Sequence, residues 1–364
     1  MLIIPYILCI LYILFIKKNI KYTWIFAASA MALLSITSAN YADLSNYIPL
    51  FDYINCMDLS VAAQTTGIGW ICINKFFYMI GMNYRGLVVC MLYINYFLMH
   101  LAIRRFNVNE NLYFGLFLIF PAIIQLVQFK FFTAFCVSFL GYSLLITSEY
   151  YSNVKYTIYI LVASLIHTSN IVFLLFLLIK TKIYQKKTSF LFLLITTLIV
   201  MLCLNPIVSI VSRYLNPKLV DRYLTDSITP SSVMWIIAIF LVWVISFAIS
   251  KFVLSKKIFA CSQTSCDNSI NNKADYCGKT IEILLITLPF LLLDRNFHRF
   301  LEMGYSVLFI ILGMNIAPPR YSRTKINFIF AIIVLLTLVS CIYCPFETVL
   351  EPIFSFDGFV DLRR

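Results

Sequence analysis

The sequence predicts an all-α, polytopic integral membrane protein with about 11–12 transmembrane segments, including a short hairpin around His167. Two observations lead to this fold class. Of the 364 residues, 62% are hydrophobic and 12% are charged, whereas soluble domains hold about 45–50% apolar and about 25% charged residues. The apolar residues also stand in continuous runs, which excludes a soluble enzyme, a secreted disulfide scaffold, a coiled coil and an outer-membrane barrel.

The apolar runs follow one another along the whole chain, with short polar gaps between them. They are Leu2–Ile16, Tyr22–Ala39, Gly86–Ile103, Leu112–Val127, Phe131–Ser148, Thr157–Ile179, Phe190–Val211, Val233–Ser250, Ile281–Leu293, Phe300–Ile316 and Ile326–Cys344. Several are shorter than the roughly 20 residues of a full span, so tilt and burial inside a helix bundle must compensate. We therefore predict a single polytopic membrane domain over residues 1–364.

The formal net charge is +12, and the lysines and arginines cluster after the first, third, sixth, eighth and tenth runs. The positive-inside rule places these clusters in the cytoplasm and the N-terminus outside. It predicts larger periplasmic loops at 40–85 and 212–232 and a cytoplasmic loop at 251–280. No basic arm with interleaved aromatic residues is present, so nucleic acid is not expected as a partner.

The run Thr157–Ile179 has lysines at both ends, Lys155 before it and Lys180 after it. A single span cannot begin and end on the cytoplasmic side. The run is too short for two full spans but long enough for two half-helices. We predict a hairpin whose tip is the polar stretch from His167 to Asn170, buried in protein or lining a wet cavity.

Several charged residues fall on the predicted outer side, against the topological bias. The cations are Lys75, Lys130, Arg213, Lys218, Arg222, Arg295 and Arg299, and the acid–base candidates are Asp43, His167, Asp294 and His298. An anionic ligand such as a diphosphate would explain cations in these positions. Ordinary loop carboxylates, a histidine that stabilises the hairpin, local ion pairs and contacts with lipid head groups are the structural alternatives.

Five stretches carry a family resemblance in order and spacing. Asp43 and Tyr47 match the aspartate and the tyrosine of a loop of the form G-T-D-x-x-x-Y, although Tyr41 and Ala42 replace its glycine and threonine. The others are Thr66–Lys75, Lys130–Ala134, where lysine replaces the usual arginine, and Ala163–Asn170. A late arginine-rich turn spans Arg295 to Arg299. Together these stretches resemble the EpsG-like and Wzy-type O-antigen and exopolysaccharide polymerases of bacterial envelopes.

The resemblance implies a metal-independent glycosyltransferase of the inner membrane, without a cofactor, whose active site faces the periplasm. Undecaprenyl-diphosphate-linked oligosaccharide would be both donor and acceptor, with membrane lipid and a chain-length regulator protein as further partners. The expected catalytic residues are Asp43 and His167, with Asp294 and His298 as second choices. The expected residues for diphosphate and sugar binding are Lys130, Arg213, Arg222, Arg295, Arg299 and Tyr47.

Three other functions compete with polymerisation. A flippase for lipid-linked oligosaccharide would need a charged central cavity, but the ionisable residues stand at the ends of the apolar runs. A membrane O-acyltransferase would need a catalytic histidine early in the chain, but the first histidine is His100 beside Arg104. An O-antigen ligase uses chemistry so close to that of a polymerase that the sequence does not separate the two.

Overall fold

The computed structural model describes residues 2–15, 22–38, 42–62, 66–148, 150–182, 184, 189–203, 230–255, 267–292, 295–315, 323–344 and 346–355. Every element of secondary structure in these ranges is a helix, which confirms the all-α fold class. The chain forms two compact units. The first contains residues 1–174 and 316–364, and the second contains residues 175–315.

The α-helices of the described residues, in chain order, are α1 (Ile3–Phe15), α2 (Thr23–Thr37), α3 (Ala42–Cys56), α4 (Leu59–Ala62), α5 (Ile68–Met79), α6 (Tyr84–Phe106), α7 (Glu110–Ile119), α8 (Ala122–Val127), α9 (Phe129–Thr147), α10 (Ser152–Ile166), α11 (Ser189–Leu202), α12 (Pro230–Ser255), α13 (Asp267–Ile283), α14 (Arg299–Asn315), α15 (Arg323–Tyr343) and α16 (Glu351–Phe354). The other helical segments are the 3₁₀ helices Thr168–Lys180, Leu284–Leu292 and Arg295–His298 and the π-helical turn Phe346–Leu350.

Among the described residues, α6, α9 and the Ile236–Leu254 part of α12 are long and apolar enough to cross a membrane. Several shorter apolar helices accompany them. A helix satisfies all its backbone hydrogen bonds internally, as a segment in lipid must. These features are those of a polytopic α-helical membrane protein, as the composition predicts.

The predicted run Leu112–Val127 is interrupted in the structure. It divides into α7 and α8 at Pro121. Proline has no N–H to donate to the preceding turn, and its ring restricts the residue before it, so a helix usually ends at this point.

In the first unit, α6 and α9 run in the same direction. The amide of Asn95, halfway along α6, donates to the hydroxyl of Thr133, in the second turn of α9, at 3.1 Å. Further along both helices, the rings of Phe106 and Tyr142 stack with centroids 6.1 Å apart. Because Asn95 is opposite Thr133, the start of α9 lies about 10 Å below the start of α6 along the bundle. The first turn of α9 is therefore recessed from that end of the unit.

Helix α10 runs back along α9, and the chain then reverses again at His167. A Cβ atom at Gly141 of α9 would stand 2.5 Å from Cβ of Tyr159, so the two helices touch closely. The Tyr156 hydroxyl donates to the carbonyl of Phe173 at 2.5 Å. Residues 17 apart would lie about 25 Å apart in a straight helix. This contact confirms the hairpin predicted for Thr157–Ile179.

In the second unit, polar side chains tie one end of the helices together. Glu282 of α13 is buried and accepts hydrogen bonds from Lys251 of α12 and from the Tyr184 hydroxyl, the latter at 3.1 Å. Burial raises the pKa of the Tyr184 phenol, and the Glu282 carboxylate raises it further, so the phenol stays protonated and donates. The indole of Trp243 donates to the carbonyl of Ile281 at 3.1 Å.

Candidate functional site

Three segments of the first unit meet at the recessed start of α9. The ammonium group of Lys130, in the first turn of α9, donates to the hydroxyl of Thr66, which precedes α5. The ring of the next residue, Phe131, contacts the imidazole of His167 edge to face, with centroids 5.4 Å apart. The first turn of α9 therefore contacts Thr66 through Lys130 and His167 through Phe131, so the two predicted residues Lys130 and His167 lie at the same end of α9.

The close approach of α5 to α10 requires glycine. A Cβ atom at Gly67 would stand 2.5 Å from the carbonyl oxygen of Leu165 and 2.9 Å from that of Ile166. A Cβ atom at Gly69 would stand 3.0 Å from the backbone of Leu165. With no Cβ at either position, the start of α5 lies directly on the last turn of α10. This packing holds Thr66 beside the tip of the hairpin.

The imidazole of His167 is held in place by the hairpin tip itself. Nδ1 of the half-buried His167 forms a 2.7 Å hydrogen bond with the hydroxyl of Ser169. The buried Asn170 donates to the carbonyl of His167 at 3.3 Å and accepts from Ser138 of α9 at 2.9 Å. Nδ1 can either donate to or accept from the Ser169 hydroxyl, so this hydrogen bond is compatible with both tautomers of His167. The bond between Ser138 and Asn170 fixes the hairpin tip to α9.

Helix α5 leads from this recess to the start of α6. The ring of Tyr47, a predicted substrate-binding residue in α3, stacks on Tyr84 at the start of α6, with centroids 5.8 Å apart. The next residue, the buried Arg85, donates to the carbonyls of Ser35 at 2.6 Å and of Ser38 at 3.0 Å. Sequence reasoning missed this role of Arg85, although a charged residue directly before the apolar run Gly86–Ile103 was a signal.

A positive side chain at the end of a helix stabilises the partial negative charge of the last carbonyls. Arg85 does this for α2, and it thereby fixes the point from which the chain continues towards α3 and Asp43. The backbone of Asp43 lies in the first turn of α3, and its side chain lies outside the described part of the structure.

The second unit contains the later candidates. The buried His298 has Nε2 3.8 Å from Oε1 of Glu302, which is also buried, and Arg299 begins α14 between them. Glu302 was not among the residues predicted from the sequence. Its spacing of four residues from His298 was a signal, because residues at i and i+4 lie on the same face of a helix. The side chain of Arg295 is not described.

Three predicted residues, Arg213, Arg222 and Asp294, lie outside the described residues. Within the described ranges, no group of three or more His, Cys, Asp or Glu side chains is placed to hold a metal ion. Apart from Tyr47, the candidates with described side chains thus fall into two groups, Lys130 with His167 in the first unit and His298 with Arg299 in the second.

The fold and the recess define a polytopic α-helical membrane protein with a lysine and a histidine gathered near one end of a helix bundle. The family model described as the EpsG family matches residues 21–349, so the chain belongs to the EpsG family. This confirms the family resemblance found in the sequence and indicates a function in polysaccharide polymerisation. No curated protein and no solved structure matches the chain.

Proposed function

We propose that this protein is the polymerase of a surface polysaccharide of the O-antigen type, acting at the outer face of the bacterial inner membrane. The observation that supports this most directly is the group formed by Lys130, Thr66 and His167 within a member of the EpsG family. It offers a cation for a diphosphate and an imidazole for proton transfer, which are the two groups that glycosyl transfer from a lipid diphosphate requires.

The polarity of the first unit supports a periplasmic position for this group. The opposite end of the unit contains Arg104 and Arg105 at the end of α6, with His100 and Glu110 paired at 2.8 Å nearby. By the positive-inside rule, the end with Arg104 and Arg105 faces the cytoplasm, since the arginine at the other end of α6, Arg85, is buried against backbone carbonyls. The recess at the start of α9 then lies towards the periplasm.

The proposed reaction joins two lipid-linked glycans. A hydroxyl at the non-reducing end of the incoming repeat unit attacks the anomeric carbon of the growing chain, and the bond from that carbon to the diphosphate oxygen breaks with its electron pair. A general base, His167 or Asp43, takes the hydroxyl proton. Undecaprenyl diphosphate leaves, and its negative charge is stabilised by nearby cations.

In this proposal Lys130 binds the diphosphate, and Arg213, Arg222, Arg295 and Arg299 supply further cations for diphosphate or sugar phosphate. Tyr47 contacts sugar. If His167 acts as the base through Nε2, Nδ1 carries the hydrogen and donates a hydrogen bond to the hydroxyl of Ser169. Asp294 and His298 are the second choice for the acid–base pair. The reaction uses no cofactor, and a chain-length regulator protein is the expected protein partner.

The surface glycan of a strain that lacks this protein tests the proposal. A polymerase deletion leaves lipid core that carries a single repeat unit, because transport and ligation continue without polymerisation. Total absence of the glycan would contradict a polymerase and favour a flippase or a ligase. An unchanged ladder that lacks only an acyl group would favour an O-acyltransferase.

Complementation by two variants tests the acid–base residues. We expect His167→Gln and Asp43→Asn to accumulate at the wild-type level and to yield no polymer, since loss of a general base costs about 10²–10⁴-fold in rate. Normal polymer from Asp43→Asn would leave Asp43 an ordinary loop carboxylate. Low protein level with normal specific activity would assign His167 a structural role.

A further inference from the structure

The second unit contains a cavity of about 280 Å³ between α11, α12 and the 3₁₀ helix Leu284–Leu292. Its walls are Thr197, Met201, Ile236, Ile237, Phe240, Leu285, Leu288, Pro289, Leu291 and Leu292. The hydroxyl of Thr197 donates to the carbonyl of Leu193 at 2.8 Å, within its own helix. Walls of this kind suit hydrocarbon, because a polar ligand would lose its hydrogen bonds to water without replacement.

The cavity and the ion pair of Lys251 with Glu282 lie towards opposite ends of α12. The lining residues come from the last turns of α11, the first half of α12 and the 3₁₀ helix that leads away from α13. At the other end of α12, Lys251 contacts Glu282 of α13, and Glu282 also accepts a hydrogen bond from Tyr184, which precedes α11. If the lysine-bearing end faces the cytoplasm, the cavity lies in the outer half of the membrane.

A cationic turn follows the cavity directly along the chain. The lining ends at Leu292, and the 3₁₀ helix Arg295–His298 and then Arg299 come next. An apolar slot beside a turn with two arginines matches a ligand with a hydrocarbon chain and a strongly negative head group. A diphosphate monoester carries more negative charge than the phosphodiester of an ordinary phospholipid, and it fits this turn better.

We propose that the cavity holds part of the isoprenoid chain of a lipid diphosphate, whose head group lies at the turn Arg295–Arg299. The proposal rests on the proposed function, in which the substrates are carried on such a lipid. The volume is just below the roughly 300–1,000 Å³ of complete small-molecule pockets, so the cavity takes a segment of the chain and the remainder lies in the bilayer.

Photolabelling of the purified full-length protein in nanodiscs tests the proposal, with a sugar-free polyprenyl diphosphate that carries a diazirine in its chain as the probe. Two positions one turn apart on α12 form a matched pair. Ile237 and Leu241 are exposed to a similar extent, 48% and 52%, and Ile237 is a lining residue whereas Leu241 is not. The variants are Ile237→Trp and Leu241→Trp.

We expect Ile237→Trp to reduce labelling of the 3₁₀ helix Leu284–Leu292 by about tenfold or more, because the indole occupies space in which several methylene groups would be buried. Leu241→Trp leaves the labelling unchanged. Unlabelled polyprenyl diphosphate competes with the probe, and a diacyl phospholipid does not. Arg295→Ala weakens labelling by the diphosphate and leaves labelling by an uncharged polyprenol probe unaffected.

Equal labelling of the two tryptophan variants would overturn the proposal, as would equal competition by the phospholipid, which would make the cavity an ordinary lipid crevice. The labelling does not depend on polymer formation. If the protein is labelled specifically but the deletion strain keeps a normal glycan ladder, the polymerase function is contradicted and the lipid diphosphate site is not.

Discussion

Lys130 stands where the local backbone disfavours a cation. It lies in the first turn of α9, and the partial positive charge of a helix N-terminus repels a lysine there. Thr66 accepts a hydrogen bond from its ammonium group. A diphosphate at this end of α9 would be attracted both by the ammonium group and by the N-terminus of the helix, which is the physical basis for assigning diphosphate binding to Lys130.

Lys130→Met removes the charge at nearly constant volume, and we expect it to lower the polymerisation rate by about 10²–10³-fold, the usual cost of losing one group that stabilises developing negative charge. Lys130→Arg keeps the charge and should retain measurable activity. Thr66→Val should cost much less, because it removes only the hydroxyl that holds the ammonium. The measurement is polymer formed per amount of protein in isolated membranes. Wild-type activity of Lys130→Met would remove the residue from the site.

Ser169→Ala separates a positioning role from a structural role at the hairpin tip. The variant removes the 2.7 Å hydrogen bond to Nδ1 of His167 and leaves Asn170 to hold the tip on α9. If His167 is the base, we expect a smaller rate loss than in His167→Gln, together with a shifted acid limb of the pH–rate profile. An unchanged pH profile with a reduced protein level would indicate that Ser169 serves only the fold.

At the scale of elements, the sequence predicted the hairpin but not the packing of α5 on it. The position of the reversal followed from lysines on both sides of Thr157–Ile179, since charge and length together allowed no single span. The packing of α5 on α10 depends on Gly67 and Gly69 meeting backbone atoms of residues nearly 100 positions later. Such a long-range contact leaves no periodicity or spacing in one sequence.

Gly67→Ala tests this contact. An alanine Cβ would stand under 3 Å from two backbone carbonyl oxygens of α10, and backbone atoms cannot move aside as a flexible side chain can. We expect a loss of about 1–3 kcal/mol of stability and a displaced Thr66. The matched control is Ile68→Ala, which shortens an exposed neighbour in the same segment. The measurement is the midpoint of thermal unfolding in detergent together with polymer yield, and equal midpoints would contradict the close packing.

The polar end of the second unit makes a second element-scale prediction. Glu282 is buried, whereas its partner Lys251 is half exposed. Lys251→Met leaves a buried carboxylate with Tyr184 as its neutral partner and should destabilise the protein, and adding Glu282→Gln should recover part of the loss. We expect a coupling free energy of about 0.5–3 kcal/mol in a double-mutant cycle. Purely additive effects would show that the contact contributes little to the packing of α12 on α13.

At the scale of the whole molecule, composition and run structure were enough for the fold class, because the membrane leaves few solutions for a chain this apolar. The candidate site was predictable only in part. Lys130 and His167 were predicted because a cation and an imidazole on the predicted outer side suggest an anionic ligand and proton transfer. Arg85 and Glu302 were missed because a charge beside an apolar run and an i, i+4 spacing are weak signals, and only the folded chain shows which carbonyls Arg85 binds and that Glu302 is buried near His298.

The orientation of the chain is the prediction on which both proposals depend. A reporter that is active only in the periplasm should be active when fused after Asn216 and silent when fused after Asn268. The reason is the asymmetry of lysines and arginines, which places the loop at 251–280 in the cytoplasm and the segment at 212–232 outside. Fusion protein levels, measured with an antibody against the reporter, are the control. The reverse pattern would place the recess of Lys130 and the cavity beside Leu288 on the cytoplasmic side, where a periplasmic polymerase cannot use them.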